Sequence, residues 1–445
     1  MSIKNNYPSI RPTLFADFAS SKSLPFNFKF RRTGNATYVD SDGLIKTSTT
    51  DSPRFTHDPV TKQCLGLLIE PGSQNKQSYS IITTGNGWST QATTTTDNIA
   101  IAPDGTNTAT KLTADASGPS GHSIFKLVTT GANNNLHTFS AFVKSAGYNY
   151  GMVYVDTSGG NIGRTVVNFT TGEVTCVGTN GIGVLSDFGA EPYGNGWYRI
   201  WVAGRFTTSN NYYCHVDVAS NQNGDAFTGD GTNGILMWGA QLESSWLTSY
   251  IPTNGSQVTQ NYDYCQVEFD NTEWYNNRNY DGSWIIDARA PYNRITTGTN
   301  HHLINAAPAG DANQSYQIRF DGYDRFNTYG TGIGGYVASW GSYTSIVDQW
   351  NFNNQNNKIG WTPGERFLIA LGLQTNNVSL IVNGKLTGND TGATLRAIYN
   401  LQIGGTVHTN GFPGQPYSGV ISKILYYPER LSDTVLLRLT DLDNN

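Results

Sequence analysis

Glu268, Asp270 and Glu273 form the tightest group of carboxylates in the chain, in the run Glu268-Phe269-Asp270-Asn271-Thr272-Glu273. On an extended strand, residues two apart share a face, and a local bulge can turn a third onto it. A carboxyl pair brought to about 5 Å in this way could serve as nucleophile and acid in glycoside hydrolysis with retention. The surroundings argue against that chemistry. Asn271-Thr272 and Trp274-Tyr275-Asn276-Asn277 read as the exit from an early strand, not as a continuation that would hold the carboxylates on one face. No Gly-x-Ser-x-Gly elbow, HExxH or phosphate-binding loop occurs. His301 and His302 are adjacent, so on a strand they point to opposite faces and share no metal; they read as a solvated turn. Asp225, Asp230, Asp321 and Asp324 sit in glycine-containing loops that could bind Ca²⁺ through oxygen, with ordinary polar loop chemistry as the alternative. No other cofactor is implied.

Ligand recognition is most compatible with the stretch from Asp321 to Trp361. It holds Tyr323, Phe326, Tyr329, Tyr336, Trp340, Tyr343, Trp350 and Trp361 among Asn, Gln, Ser and Gly. Sugar rings present apolar C–H faces and hydroxyl edges, which suit exposed aromatic rings flanked by amides and carboxylates. Tyr323, Tyr336, Trp340, Tyr343, Trp350 and Trp361 are therefore the candidate glycan-binding residues, with a subunit interface or plain core as alternative uses. Trp197, Trp238 and Trp246 read as framework packing.

Composition says what kind of scaffold must position these residues. Glycine is 49 of 445 residues, charged residues are 14% and aromatic residues 12%, a profile of all-β domains with polar, weakly charged loops rather than of disorder. The net charge of -5 leaves no basic field for nucleic acid. The opening MSIKNNYPSI has no apolar signal core, and no apolar run reaches the roughly 20 residues needed to span a bilayer. Expectations are thus no nucleic-acid partner, no membrane insertion, and synthesis in a cytosol. Cys64, Cys176, Cys214 and Cys265 lie far apart, without metal spacing, and read as reduced thiols.

The pattern along the chain divides it into 1–78, 79–255 and 256–445. Tyr212, Cys214, Val216 and Val218 alternate with Tyr213, His215 and Asp217, the signature of a half-buried antiparallel strand. Similar runs at His137 to Val143, Gly151 to Asp156, Arg164 to Phe169 and Trp197 to Phe206 predict a first β-sandwich. After Gly255 the runs at Ser283 to Ala290, Ser315 to Phe320, Arg366 to Leu373, Asn377 to Val382 and Ser418 to Tyr427 predict a second. Asn383-Gly384 marks a hairpin, and Ser432 with Val435, Leu439 and Leu442 predicts a short C-terminal helix. The stretch Trp238 to Thr253, WGAQLESSWLTSYIPT, closes the first sandwich and steers the chain into the second. Residues 1–78 hold few candidate strands and read as an adaptor-like segment lying against the first sandwich or a neighbouring subunit. The fold class is all-β: two tandem antiparallel jelly rolls, an extended N-terminal segment and a short C-terminal helix.

Three segments carry a likeness. The first holds Arg11-Pro12-Thr13-Leu14, Asp17-Phe18, Ala36-Thr37-Tyr38-Val39-Asp40, Gly43-Leu44-Ile45-Lys46, Pro53-Arg54-Phe55, His57-Asp58-Pro59 and Gly66-Leu67-Leu68-Ile69-Glu70. The second is Gly196-Trp197-Tyr198-Arg199, Trp238-Gly239-Ala240-Gln241-Leu242-Glu243 and Ser249-Tyr250-Ile251-Pro252-Thr253, and the third is Asn383-Gly384 with Ile424 to Leu431. Together they resemble tailed-bacteriophage virion fibre or appendage proteins that carry concanavalin A-like (laminin G-like) jelly rolls. The chain departs from that pattern at Pro71-Gly72-Ser73-Gln74-Asn75. The resemblance implies a non-enzymatic virion component and a homo-oligomer, joined to other virion proteins through the N-terminal segment. Its implied role is binding host-surface polysaccharide during adsorption. A ligand-free decoration protein is one alternative; a polysaccharide depolymerase using Glu268, Asp270 and Glu273, whose spacing is similar to that of laminarinase-type glycosidases, is the other.

Overall fold

The computed structural model describes residues 8–443 apart from 132–133, 245, 268–273, 276–278, 291–298, 308–315, 323–331, 338–363, 393–394, 396 and 406–416. The described chain is all-β with two α-helices, Phe18–Ser21 and Asp433–Leu439. Four large antiparallel sheets pair into two sandwiches.

One sheet of the first sandwich runs Gly183–Pro192, Trp197–Phe206, His137–Ala146, Gly234–Glu243, Ala109–Ala114, Thr93–Ala100. The facing sheet runs Val174–Val177, Gly160–Asn168, Tyr150–Thr157, Asn211–Ala219, His122–Thr129, Ser89–Gln91. Alternation decides what lies between them. Tyr212, Cys214, Val216 and Val218 meet Ile124, Val153 and Val155 from their own sheet and Phe139, Ala141, Ile200 and Val202 from the other. Tyr213, His215 and Asp217 are left on the outward face of the second sheet.

Trp238-Gly239 places a bulge in the strand Gly234–Glu243, where the pairing shifts between Ser140 and Phe142 of the neighbour. Gly239 has φ +66°, and a Cβ there would stand 2.8 Å from the Phe142 ring, so only glycine fits. The bulge sends Trp238 outward against Phe142 and Tyr250, with its indole N–H donating to Thr108 Oγ1 at 3.0 Å.

The second sandwich is built from both ends of the chain. Its first sheet orders Lys385–Asp390, Val378–Val382, Arg366–Leu373, Gly282–Arg289, Gly419–Tyr427, Cys64–Ile69, Arg54–His57, and Leu14–Asp17 also pairs with Gly419–Tyr427. Its second sheet orders Phe28–Arg31, Tyr264–Val267, Asn400–Ile403, Thr299–Ala307, Tyr316–Gly322, Gly332–Val337. Residues 1–78 were expected to lie as a separate segment against the first sandwich or a neighbouring subunit; most of their strands instead join the sheets of the second sandwich. The cause is their apolar content: Leu14, Phe18, Phe28, Phe30, Leu67 and Ile69 are buried in one core with Trp284, Ile286, Ile369, Leu401 and Ile424. Four-residue strands such as Phe28–Arg31 are too short to show a periodicity, but their alternating phenylalanines need this core.

Three smaller expectations are refined. The Asn383-Gly384 turn forms, with φ +48° and +71°. The C-terminal helix buries Leu436 and Leu439, while Val435 packs only partly and Leu442, beyond the helix end, is exposed. His301 and His302 are not in a solvated turn: both are buried in the strand Thr299–Ala307.

Candidate functional site

Where the two sandwiches meet, charged side chains are folded inside. Arg54 has no exposed side-chain surface and donates to Glu70 Oε2 at 2.8 Å, Thr37 O at 2.7 Å, Ser249 Oγ at 2.9 Å, and to Asp263. Arg32 donates to the other Asp263 oxygen at 3.1 Å. Glu70 in turn accepts from Ser249 N and Oγ at 2.7 Å each and from Gln260 Nε2 at 3.1 Å. Burial alone would raise the Glu70 carboxyl, but the Arg54 charge and the Ser249 donors outweigh it and hold it below the usual range. Glu243 beside them accepts from Ser73 Oγ and from Thr248 N and Oγ1. This network ties residues of the N-terminal segment, of WGAQLE and of SYIPT into one junction. Arg32, Arg54, Glu70 and Asp263 are paired with one another, as burial in a low dielectric demands, while Glu243 is held by hydroxyl and N–H donors.

A cleft of about 490 Å³ opens over that junction. The edge hairpin of the first sandwich, Gly183–Pro192 with Trp197–Phe206, gives one wall, and residues 56–61 give another. Arg289, Gly364 and Val420 of the second sandwich complete it. The hairpin register explains what faces the cleft. Ile200 and Val202 point to the core, so Arg199 and Trp201 point outward, opposite Glu191 and Gly189. At Gly189 a Cβ would stand 2.3 Å from the indole of Trp201; its absence lets the half-buried ring lie across the partner strand. The indole N–H donates to Asp187 Oδ2 at 3.4 Å.

The polar groups here differ from those beneath them. Glu191 is half-buried and has no hydrogen-bond or ion-pair partner among the described residues. Burial pushes its carboxyl above the usual range, against the pull of Arg199 and with help from the charge of Asp58. Asp58 is held low: burial acts to raise it, but the N–H groups of Thr61 and Val60 and the charge of Arg289 prevail. His57 Nδ1 faces the Val39 carbonyl oxygen at 3.1 Å and so must carry the proton. Its Nε2 is left as a buried acceptor without a partner. The unused Glu191 carboxyl, an indole, Tyr38 and Tyr193 therefore line one cavity, with His57 Nε2 buried behind its wall.

A second polar group gathers on the outward face of the first sandwich's other sheet. The His215 imidazole stacks between Tyr154, at 4.1 Å and 14°, and Phe125, at 5.0 Å and 23°. Its Nε2–H donates to Asp156 Oδ1 at 3.2 Å, which leaves Nδ1 to accept from Ser123 Oγ–H at 2.9 Å. The order Ser–His–Asp is that of an acyl-transfer triad, yet Ser123 is 1% exposed and closed to a carbonyl substrate. Asp217, across from Ser123, is 2% exposed, and burial pushes its carboxyl up to about 7.

Most of the residues singled out from sequence are not among those described. Glu268, Asp270 and Glu273, and the aromatic candidates Tyr323, Trp340, Tyr343, Trp350 and Trp361, lie outside the described residues. Tyr336 is described in its backbone, opposite Gln317 in the strand Gly332–Val337. Of the aspartates considered for Ca²⁺, Asp230 accepts from Thr232 N, Asn233 N and Asn233 Nδ2 in a turn, and Asp225 is exposed. Asp324 lies outside the described residues, and Asp321 is described only as a strand residue opposite Gly332. Among the described residues no three His, Cys, Asp or Glu side chains gather as a metal site. Sequence reasoning missed Glu191, Trp201 and His57. One signal was present: Trp201 sits on the polar register of the run Trp197 to Phe206.

No protein-family model matches the chain, and no curated protein matches it. Among solved structures it is similar to the CBM40 of the Ruminococcus gnavus IT-sialidase bound to α2,3-sialyllactose, with 17% identity over 36% of this chain and 83% of that one, TM-score 0.26. Domain 4 of AbnA, a GH43 extracellular arabinanase from Geobacillus stearothermophilus in complex with arabinotriose, is 12% identical over 44% of this chain and 83% of its own, TM-score 0.26. Trypanosoma rangeli sialidase is 12% identical over 74% of this chain and 60% of its own, TM-score 0.27. Likenesses at this level assign neither a family nor an activity, and the architecture rests on the chain's own sheets.

Proposed function

We propose that the protein is a non-enzymatic glycan-binding protein that receives saccharide in the cleft between its sandwiches. The observation that carries this reading is the unpaired Glu191 carboxylate beside Trp201 in a cavity of about 490 Å³. That volume is within the roughly 300–1,000 Å³ of small-molecule sites, which favour domain interfaces. Unused acceptors call for a ligand rich in donors, and an indole calls for one with apolar faces; sugars offer both. Binding rather than hydrolysis follows from the second acid: Asp58 is fixed in its turn by Val60 N and Thr61 N.

The likeness of its sequence segments to phage appendage proteins supports the wider reading. In that reading the chain is a homo-oligomeric virion component, attached to other virion proteins, that binds host-surface polysaccharide during adsorption.

Titration of the intact chain with oligosaccharides released from bacterial envelopes tests the cleft. Trp201→Ala and Glu191→Gln are each expected to weaken binding about tenfold or more, the scale of losing one or two kcal/mol. Unchanged affinity in both variants would remove the cleft from consideration. Release of reducing ends that stops in Glu191→Gln would make the protein an enzyme.

A further inference from the structure

We propose, resting on the cleft reading above, that the saccharide taken there carries an acidic group, carboxylate or phosphate, and that Arg289 is the residue that selects it. Glu191 and Trp201 lie on the wall given by the first sandwich, and Arg289 lies on the part given by the second. Such a ligand touches both sandwiches.

Arg289 is the last residue of the strand Gly282–Arg289, directly opposite Arg366 of the neighbouring strand. The two arginines are used differently. Arg366 grips Asp287 through Nε, at 3.0 Å to Oδ1, and through Nη2, at 2.7 Å to Oδ2, the two-point geometry in which a guanidinium fits a planar acid. That pairing occupies the carboxylate two residues before Arg289. Arg289 itself donates from Nη1, to Gly364 O at 3.1 Å. Its Nε and Nη2, the same edge that Arg366 uses, have no hydrogen-bond or ion-pair partner among the described residues.

The fold holds this edge where a ligand can meet it. The Tyr417 hydroxyl donates to the Arg289 carbonyl oxygen, and Ala290 N donates to Glu365 O at 2.7 Å, so the backbone here is fixed. The side chain is half-buried and lines the open cleft, so solvent reaches it.

The other ions of the cleft leave Arg289 unsatisfied. Asp58 senses its charge but makes no ion pair with it, and Asp58 Oδ1 is taken by Val60 N and Thr61 N. Glu70 is paired with Arg54, and Glu191 senses Arg199 and Asp58 rather than Arg289. Asp58 repels an incoming acid across solvent, whereas Arg289 attracts it in contact. Coulomb energy falls with distance and dielectric, so the contact prevails.

The test measures binding of an acidic oligosaccharide from bacterial envelopes to the full chain, before and after two treatments. Carbodiimide-activated borohydride reduction turns carboxylates into hydroxymethyl groups; hydrogen fluoride removes phosphate. One treatment is expected to weaken binding about tenfold, and which one identifies the acid. Arg289→Gln is expected to bind all three preparations alike, and Arg289→Lys, which keeps the charge without the fork, to retain part of the preference. Each chain is compared with itself across the preparations, so a general loss of stability does not imitate this result. Binding that neither treatment weakens overturns the proposal, as does a preference that survives in Arg289→Gln; if Trp201→Ala still weakens that binding, the cleft reading stands. No binding of any preparation overturns both.

Discussion

The two sandwiches differ in how the chain builds them. Both sheets of the first come from one stretch, Ser89 to Glu243, with only the edge strands Ser73–Asn75 and Val258–Gln260 added from outside. The second takes strands from Leu14–His57 and Cys64–Ile69 as well as from residues beyond 263. One domain can close as it is made; the other must wait for the C-terminus. Pairings over such distances cost loop-closure entropy before contacts compensate for it. The junction of buried ions is where the late-closing domain is locked to the early one.

The largest effect tests this asymmetry. Removing residues 1–71 takes four strands out of the second sandwich, so unfolding followed by circular dichroism is expected to lose the second domain's transition entirely and keep the first's. Two retained transitions would show that the N-terminal segment is dispensable for folding of the second sandwich. Next, Arg54→Ala leaves Asp263 and Glu70 buried with less compensation, for an expected loss of about 3–5 kcal/mol in chemical denaturation. A loss under 1 kcal/mol would mean that the junction is wet and adjustable. Within the first sandwich, Gly239→Ala places a Cβ against Phe142 at a left-handed position. It is expected to cost about 1–3 kcal/mol and leave the second domain's transition in place.

A smaller effect concerns Asp217. Its folded carboxyl keeps a proton up to about pH 7, while in the unfolded chain it titrates near 3.8. Between those values the unfolded state has released the proton that the folded state retains, so this group's stabilising contribution falls as pH rises from about 4 to 7 and is flat above. Asp217→Asn is expected to remove that slope from the first sandwich's stability profile and to raise its melting temperature at pH 7.5 relative to the unsubstituted chain. A profile parallel to that of the unsubstituted chain would mean that Asp217 is ionised throughout.

What was legible in the sequence follows the same division. Strands of eight or more residues with clean alternation, such as Trp197–Phe206 and Asn211–Ala219, announce themselves because one face is core. The four-residue strands Leu14–Asp17, Phe28–Arg31 and Arg54–His57 do not, being shorter than any periodicity. The cleft was hidden for a related reason. Glu191, Trp201 and His57 come from three strands on two sides of a domain boundary, and only the docking of the N-terminal strands onto the second sandwich brings them together. The stack at His215 was half visible, since alternation put His215 and Asp217 on one face, but its partners Ser123 and Asp156 are 92 and 59 residues away.

Entry of saccharide between the two sandwiches is open to a direct test. Hydrogen–deuterium exchange on the intact chain, with and without envelope oligosaccharide, measures this directly. Protection is expected in residues 56–61 and in the hairpin 187–203 together, two segments far apart in sequence that meet only across the cleft. Protection confined to 321–361, or none in either segment at saturating ligand, would contradict it.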